Sequence, residues 1–417
     1  MRLIFSFCLI GLISIHVQAQ DSLRLSRRQA DSLFLKNNLL LLAGRFRIEA
    51  GQAQIIQANL YDNPTALLEV SAYNTEQHRV LDAGRQGQKI ISVQQLLYTA
   101  GKRNKRVALA QESARLNDYE FADLLRSLRF ELRSRFFDLY FQQETLARYD
   151  RQITTLQGTV TAFEQQYDKN NVSLRELLRL KALLFQLNND RLEIRLNQAE
   201  NQQFLRTLLS VEQPILPQVD ETQLQIYRFP NESVDSLRSR ALHHRADVLA
   251  NQSLTRQAEL NYNLQKALAT PDLRVGGTYD QAGSYVPNYL GVSVSMDLPF
   301  FNRNQGAIKA ARSQIDYQKQ IQSQKAVQVG NEVIAALQKV REVERTVQSV
   351  ESRFSEQFEL LNQGLFTNFQ KRNISLLEFI DLIETYNEST KELNRLKADR
   401  IGAYEELNYV VGEELFN

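Results

Sequence analysis

Apolar residues in the first half of the chain recur at a spacing of three and four residues, which places them on one face of a helix. The series consists of Leu125, Leu128, Leu132, Leu139, Leu146, Tyr149, Ile153, Leu156, Val160 and Phe163. This sustained heptad predicts one helix from about residue 103 to residue 168, on the order of 100 Å long at ~1.5 Å per residue. No proline lies in residues 65–213 or 300–417, so both stretches favour long helices.

A second pattern has a period of two and predicts β-strands. In residues 290–298, apolar side chains alternate with glycine, serine and aspartate, so that one face of the strand is apolar. Residues 273–280 repeat the alternation. We predict one strand pair within about 65–98 and another within about 272–298. Each pair encloses a polar loop, residues 74–88 in the first and 281–288 in the second.

The chain is also duplicated. The segment NVSLRE at 171–176 corresponds to NISLLE at 373–378, 202 residues later. The first repeat, residues 20–212, is predicted to contain a helix, the first strand pair and a long helical hairpin at about 103–212. The second repeat, residues 232–417, has the same order, with its hairpin at about 304–412. Residues 213–231 contain three prolines and are predicted to be a connector.

The N-terminal 19 residues have the pattern of a signal peptide. Arg2 precedes a nearly unbroken apolar run, and Val17-Gln18-Ala19 places small residues at a cleavage site. The alternative is a retained membrane anchor, which the shortness of the run disfavours. The single cysteine, Cys8, lies inside this run without the small residues of a lipoprotein cleavage site. We therefore expect an exported protein without a disulfide or a lipid anchor.

Charge and motifs argue against several classes of function. The formal net charge of +2 gives no electrostatic basis for binding nucleic acid. We find no catalytic arrangement and no phosphate-binding glycine loop, so we predict neither an enzyme nor a cofactor. The adjacent pair His243-His244 invites a metal site, but neighbouring helical side chains point about 100° apart and make a poor chelate.

The predicted strands raise a problem of closure. Four strands with an apolar face suit a transmembrane barrel, but four cannot close one, and open edges in lipid would leave backbone groups unpaired. Three chains would supply twelve strands, with the helices forming a shared tube. The alternative is a small soluble sheet packed on the helices.

Taken together, these features resemble the TolC family of outer-membrane factors. The most specific matches are Asn63-Pro64 before the first strand, the segment VSMDLPFFNRNQG at 294–306, and the helical turns followed by Ser-Leu and an acidic residue. The resemblance implies a homotrimer in the outer membrane of a Gram-negative bacterium, with a twelve-stranded β-barrel in lipid and an α-helical barrel in the periplasm. It also implies a periplasmic adaptor protein and an inner-membrane RND-type pump as partners.

The resemblance also suggests functional residues. Glu378 and Asp381, three residues apart on one helical face, match the paired acidic residues that form a periplasmic constriction in the family. Around a threefold axis, each would form a ring that attracts cations. Glu176 is the counterpart of Glu378 in the first repeat, where Arg179 replaces Asp381 and offers an intrahelical ion pair instead. The alternative is that these acids are ordinary solvated residues.

The turns between the long helices are candidate contacts for the adaptor. Asparagine tolerates left-handed backbone, and a serine two residues later can cap the returning helix. The residues concerned are Asn170, Asn171, Ser173, Asn373 and Ser375.

Within the family, residues 371–386 and 298–306 look most like outer-membrane components of heavy-metal cation efflux systems. We therefore expect a passive exit duct for metal cations. A duct for multidrug efflux or for type I protein secretion is the alternative within the same fold. From a different class, a periplasmic coiled-coil scaffold without a pore also fits the helical pattern.

Overall fold

Helices form most of the computed structural model, which describes residues 22–85, 87–229, 232–283, 286–350, 360 and 364–416. In chain order they are α1 (Arg27–Asn37), α2 (Leu39–Ala58), α3 (Lys102–Asp168), α4 (Leu174–Leu209), α5 (Glu221–Leu224), α6 (Val234–His244), α7 (Ala246–Leu268), α8 (Gln305–Ser349) and α9 (Leu376–Val411). Residues 364–370 are also helical. The fold class predicted from the sequence, mainly α with a few strands, is confirmed.

Two sheets accompany the helices in the described part of the chain. Strands β1 (Leu23–Leu25) and β5 (Ile215–Pro217) form a short parallel pair. The larger sheet is antiparallel and contains β2 (Thr65–Asn74), β3 (Arg79–Asp82), β4 (Lys89–Leu97), β6 (Leu273–Asp280) and β7 (Tyr289–Met296), in the order β3-β2-β4-β6-β7.

Strand β3 was not predicted, because residues 74–88 were interpreted as a loop. It pairs with residues 71–74 of β2, whereas β4 pairs with residues 65–70 of the same strand. The Asp82 carboxylate anchors the end of β3 by accepting hydrogen bonds from Asn74 Nδ2 (2.8 Å) and from the Gly84 amide (3.0 Å). Four residues are too few to show an alternation, so pairing with the end of β2 across a short turn, rather than the strand's own pattern, defines β3.

The described residues form two units, drawn from residues 22–38, 132–225 and 364–398 in the first and from residues 39–131, 226–350 and 399–416 in the second. The predicted signal peptide, residues 1–19, lies outside the described residues. None of the described helices combines the length and hydropathy that a membrane crossing requires.

The core of the first unit is built from the heptad positions of its long helices. The buried side chains are Tyr149, Ile153, Leu156 and Val160 of α3, Leu177, Leu180, Leu183, Leu187 and Ile194 of α4, Leu365 and Phe369, and Phe379 and Ile383 of α9. Burial of one such side chain contributes about 1.5–3 kcal/mol, so this cluster holds the helices together.

In the second unit, α7 packs along α8, and the end of the connector packs on α9. Tyr227 is fully buried and donates a hydrogen bond to Glu405 Oε1 (2.6 Å). Its ring lies 5.8 Å from that of Tyr404 and 6.3 Å from that of Phe416. This part of the connector is therefore fixed against the C-terminal residues.

Candidate functional sites at the helical turns and on the sheet

The turn between α3 and α4 ends the first helix with a left-handed residue. Asn170 has φ 57°, and its amide donates to the carbonyl of Tyr167 (2.8 Å). The Asn171 amide donates to the carbonyl of Gln166 (2.9 Å), and Asn171 Nδ2 donates to Gln166 Oε1 (2.8 Å). This pairing is a Schellman motif, which satisfies the carbonyls left free at a helix end.

The second turn repeats this geometry 202 residues later. Arg372 takes the left-handed position, with φ 60°, and its amide donates to the carbonyl of Phe369 (3.0 Å). The Asn373 amide donates to the carbonyl of Asn368 (2.9 Å), and Asn373 Nδ2 donates to Asn368 Oδ1 (3.0 Å). The two turns are therefore structural copies, although arginine stands where the first copy has asparagine.

A capping box starts the returning helix in both copies. The Ser173 amide donates to Glu176 Oε2 (2.8 Å), and the Glu176 amide donates to Ser173 Oγ (3.3 Å). The same two hydrogen bonds join Ser375 and Glu378, at 2.8 and 3.3 Å. In each copy one serine and one glutamate satisfy two amides that a helix start leaves unpaired.

The capping boxes give the two candidate glutamates a local role that the sequence analysis did not assign. The backbone hydrogen bond from Ser375, followed by the one involving its hydroxyl, lowers the pKa of Glu378 below its ordinary value. The corresponding bonds from Ser173 lower the pKa of Glu176. Both carboxylates are therefore held ionised. The spacing Ser-x-x-Glu was a readable signal for this role.

The structure brings only some of the candidate acids together. Glu378 and Asp381 are exposed and lie three residues apart on α9, as predicted. Glu176 lies on α4, and Ser173 Oγ as well as the Ser173 amide donates to its carboxylate. Among the described contacts, none joins Glu176 to Arg179, Glu378 or Asp381.

An aromatic cluster that the sequence analysis did not identify supports the second turn. The rings of Phe369 and Phe379 stack at 4.1 Å, and Phe163 stacks on Phe369 at 5.6 Å. Phe366 meets Phe379 edge-on at 5.3 Å. Such pairs add about 0.5–1.5 kcal/mol each beyond burial, so the tip below this turn is firmly packed.

The adjacent histidines His243 and His244 each contact a protein group rather than each other. His243 Nδ1 lies 2.7 Å from the carbonyl of Ser239, and His244 Nδ1 lies 3.1 Å from Glu413 Oε1. Within the described part of the chain, no group of three or more histidine, cysteine or acidic side chains is placed to hold a metal ion.

The large sheet presents an exposed apolar face. On β7, Leu290, Val292 and Val294 are 79%, 84% and 65% exposed. They lie opposite Tyr279, Gly277 and Val275 of β6, and the same face continues onto Ile91 and Val93 of β4. Because side chains alternate along a strand, the other face of these two strands is mainly polar or small. It carries Arg274, Gly276, Thr278 and Asp280 on β6 and Tyr289, Gly291, Ser293 and Ser295 on β7.

No protein-family model and no curated protein matches the sequence. Solved structures do match. A membrane protein from Pseudomonas aeruginosa has a TM-score of 0.74 at 15% identity, covering 93% of this chain and 92% of that one. CusC, described for its folding and transmembrane channel formation, has a TM-score of 0.74 at 16% identity, with the same coverage. The outer membrane channel CmeC of Campylobacter jejuni has a TM-score of 0.73 at 14% identity, covering 93% and 85%. The chain therefore has the fold of the TolC-like outer-membrane channels.

Proposed function

We propose that this protein is the outer-membrane channel of a tripartite efflux system and acts as a passive exit duct from the periplasm to the exterior. The observation that carries the proposal is the exposed apolar face of the large sheet, in a chain with the fold of outer-membrane channels. An apolar patch of this extent calls for a lipid or protein partner. Lipid fits best, because apolar residues recur at every second position, as in membrane strands.

The proposed assembly is a homotrimer. Strand β7 pairs with β6 along one edge, and no strand of the described part pairs with its other edge. An unpaired edge cannot lie in lipid, because each free backbone group costs several kcal/mol there. Three copies of β2, β4, β6 and β7 give twelve strands and close the barrel, while β3 extends only the end of β2.

The helical turns are proposed to face the periplasm and to contact a periplasmic adaptor, which links the duct to an inner-membrane RND-type pump. Asn170, Asn171, Ser173 and their counterparts Asn373 and Ser375 occupy these turns. The two serine side chains cap the returning helices, and the backbone amides of the three asparagines donate to carbonyls at the ends of the preceding helices. These bonds leave a polar tip of fixed shape for a partner.

The proposed substrates are heavy-metal cations, supported by the exposed acids Glu378 and Asp381 and by the resemblance of the surrounding sequence. Multidrug efflux and type I protein secretion are the alternatives for the same duct. Growth of a deletion strain on copper, silver, zinc, cobalt, nickel and cadmium salts, beside detergents, dyes and antibiotics, separates them. Selective metal sensitivity is the expected result, and broad drug sensitivity or a missing secreted protein contradicts the metal assignment.

The acidic residues have a sharper test. Glu378→Gln removes the charge but keeps an oxygen for the Ser375 amide, because glutamine also serves in a capping box. Combined with Asp381→Asn, it is expected to lower the cation preference of the channel in planar bilayers, with Glu392→Gln as the exposed control on the same helix. An unchanged cation preference would remove these residues from the constriction.

The competing class is a periplasmic scaffold without a pore. Val292→Lys places a charge on the apolar face, where it costs about 2–4 kcal/mol at the middle of a bilayer. We expect loss of the protein from the outer-membrane fraction, while Ser293→Lys, on the opposite face, is tolerated. Normal fractionation of the Val292→Lys variant would favour the scaffold.

A further inference from the structure

One segment of α3, residues 154–161, is poorly suited to a helix. Its sequence is TTLQGTVT, so six of its eight residues are threonine, valine or glycine. Each of these types has a lower helix propensity than alanine or leucine, and glycine has the lowest of them. The segment nevertheless lies inside a continuous helix of 67 residues.

The threonines of this segment also weaken the helix through their hydroxyl groups. Each donates a hydrogen bond to the carbonyl four residues earlier, a contact that tends to bend helices by competing with the backbone. The pairs are Thr154 to Asp150 (2.8 Å), Thr155 to Arg151 (3.0 Å), Thr159 to Thr155 (3.1 Å) and Thr161 to Gln157 (3.0 Å). Four such bonds within eight residues concentrate this effect in one place.

Packing within the chain does not explain the glycine in the segment. A Cβ atom built on Gly158 has no atom within 4 Å, so an alanine would fit without a clash. Glycine in a helix interior costs roughly 0.5–1 kcal/mol relative to alanine, mainly through backbone freedom. The residue therefore lowers local rigidity without a compensating contact inside the protomer.

Several buried positions on α9, which shares the hydrophobic core with α3, are polar rather than apolar. Asn387 of α9 is 3% exposed, and neither its amide oxygen nor its amide nitrogen has a hydrogen-bond partner. Thr390 and Asn394 are also buried on α9, where Asn394 donates to Thr145 Oγ1 of α3 (2.9 Å). Buried polar groups replace the leucines of a heptad here, and an unpaired buried amide is destabilising.

The tip beyond the segment is firm by contrast. It contains the stacked rings of Phe163, Phe369 and Phe379, the Schellman motifs and the two capping boxes. A soft helical segment next to a rigid end is the arrangement expected of a hinge, because bending concentrates where it costs least.

We infer that residues 154–161 form a hinge in α3 about which the helical tip bends as a unit. The functional role of this hinge rests on the proposed channel function, because bending at the tip would change the periplasmic end of the duct. Its mechanics depend only on the helix itself. Threonine hydrogen bonding and Gly158 provide the flexibility, and the buried faces of Leu156 and Val160 keep the segment attached to the core.

Hydrogen exchange of the full-length protein in detergent tests the mechanics. Amides of residues 154–161 are expected to exchange faster than those of residues 132–150 in the same helix. Gly158→Ala should slow exchange in the segment roughly two- to fivefold, the effect of removing the glycine penalty. Gly402→Ala in α9 is the matched control, because its Cβ also meets nothing within 4 Å. Equal exchange along α3 in the native protein overturns the hinge.

Resistance assays test whether the hinge is needed for efflux. Gly158→Ala is expected to reduce resistance at an unchanged amount of protein in the outer membrane, as is the double variant Thr155→Ala/Thr161→Ala, while Gly402→Ala retains it. Full resistance in both hinge variants overturns the inference. A trimer destabilised by Gly158→Ala also overturns it, because the glycine would then serve close approach of a neighbouring protomer. If the native gene gives no resistance, the proposed function fails, and hydrogen exchange still decides the hinge.

Discussion

Arg245 and Asp247 form a bidentate ion pair in the second unit. Arg245 Nε lies 3.0 Å from Asp247 Oδ1, and Arg245 Nη2 lies 2.7 Å from Asp247 Oδ2. The Arg245 side chain is 2% exposed and also donates to Glu332 Oε2 (2.6 Å) and to the carbonyl of Val410 (3.1 Å). Lys325 Nζ lies 2.7 Å from Asp247 Oδ2. This network joins the start of α7 to α8 and to the end of α9.

Removing either partner of this pair should destabilise the protein strongly. Asp247→Ala leaves the Arg245 guanidinium buried without its main carboxylate, and breaking a buried pair in this way costs about 3–5 kcal/mol. Thermal unfolding of the purified protein measures the loss. Glu259→Ala, which removes the exposed partner of Arg256, is the control and should change stability by less than about 1 kcal/mol. Equal effects of the two substitutions would contradict the importance of the buried pair.

The same network predicts a dependence of stability on acid. Burial opposes ionisation of Asp247, but the hydrogen bonds from Arg245 and Lys325 outweigh it and hold the pKa of Asp247 well below its ordinary value. A carboxyl whose pKa is lower in the folded state than in the unfolded state stabilises the fold at pH values above the unfolded-state pKa, which is about 4. This contribution is lost as the pH falls from there towards the folded-state pKa. The melting temperature should therefore fall as the pH is lowered below about 4. The difference between the native protein and Asp247→Asn should shrink over the same range, and a constant difference would contradict this.

Gly412 is required by its conformation and by its neighbour. Its φ is 80°, and a Cβ there would lie 2.8 Å from Arg245 Cγ and 3.1 Å from Arg245 Cα. Gly412→Ala is expected to destabilise by roughly 1–3 kcal/mol, from left-handed strain and from displacement of the arginine. In Gly402→Ala, by contrast, the added methyl group has open space, and denaturant titration should show a stability equal to or above that of the native protein. Tolerance of alanine at 412 would show that the chain end adjusts freely.

Arg372 occupies a left-handed position that suits glycine or asparagine better. Its φ of 60° matches the 57° of Asn170 in the first turn. Arg372→Gly should raise stability by about 1 kcal/mol, because the left-handed region costs a residue with a Cβ atom roughly 1–2 kcal/mol. Asn170→Gly should gain less, since asparagine already tolerates this backbone. A lower melting temperature for Arg372→Gly would indicate that the arginine side chain contributes a contact worth more than the strain.

Local sequence patterns predicted the long elements well. The heptad leucines of α3 and α4 repeat every three or four residues, and the alternation in 290–298 repeats every two, so both elements were readable from neighbouring residues. The turns were also readable, because Asn170 and Ser173 act on backbone groups within a few positions of themselves. Strand β3 was missed because its partner, not its own pattern, makes it a strand.

The sequence by itself determined the long helices, the long strands and the fact that their pattern occurs twice, since periodicity and capping depend on residues close together in the chain. The tertiary structure alone decided the rest. Arg245 meets Glu332 and the carbonyl of Val410, the ring of Phe163 meets that of Phe369, and Asn387 is buried without a partner. These relationships join residues far apart in the chain or depend on the surroundings that other helices create. No local pattern encodes them, because they arise only when the helices pack.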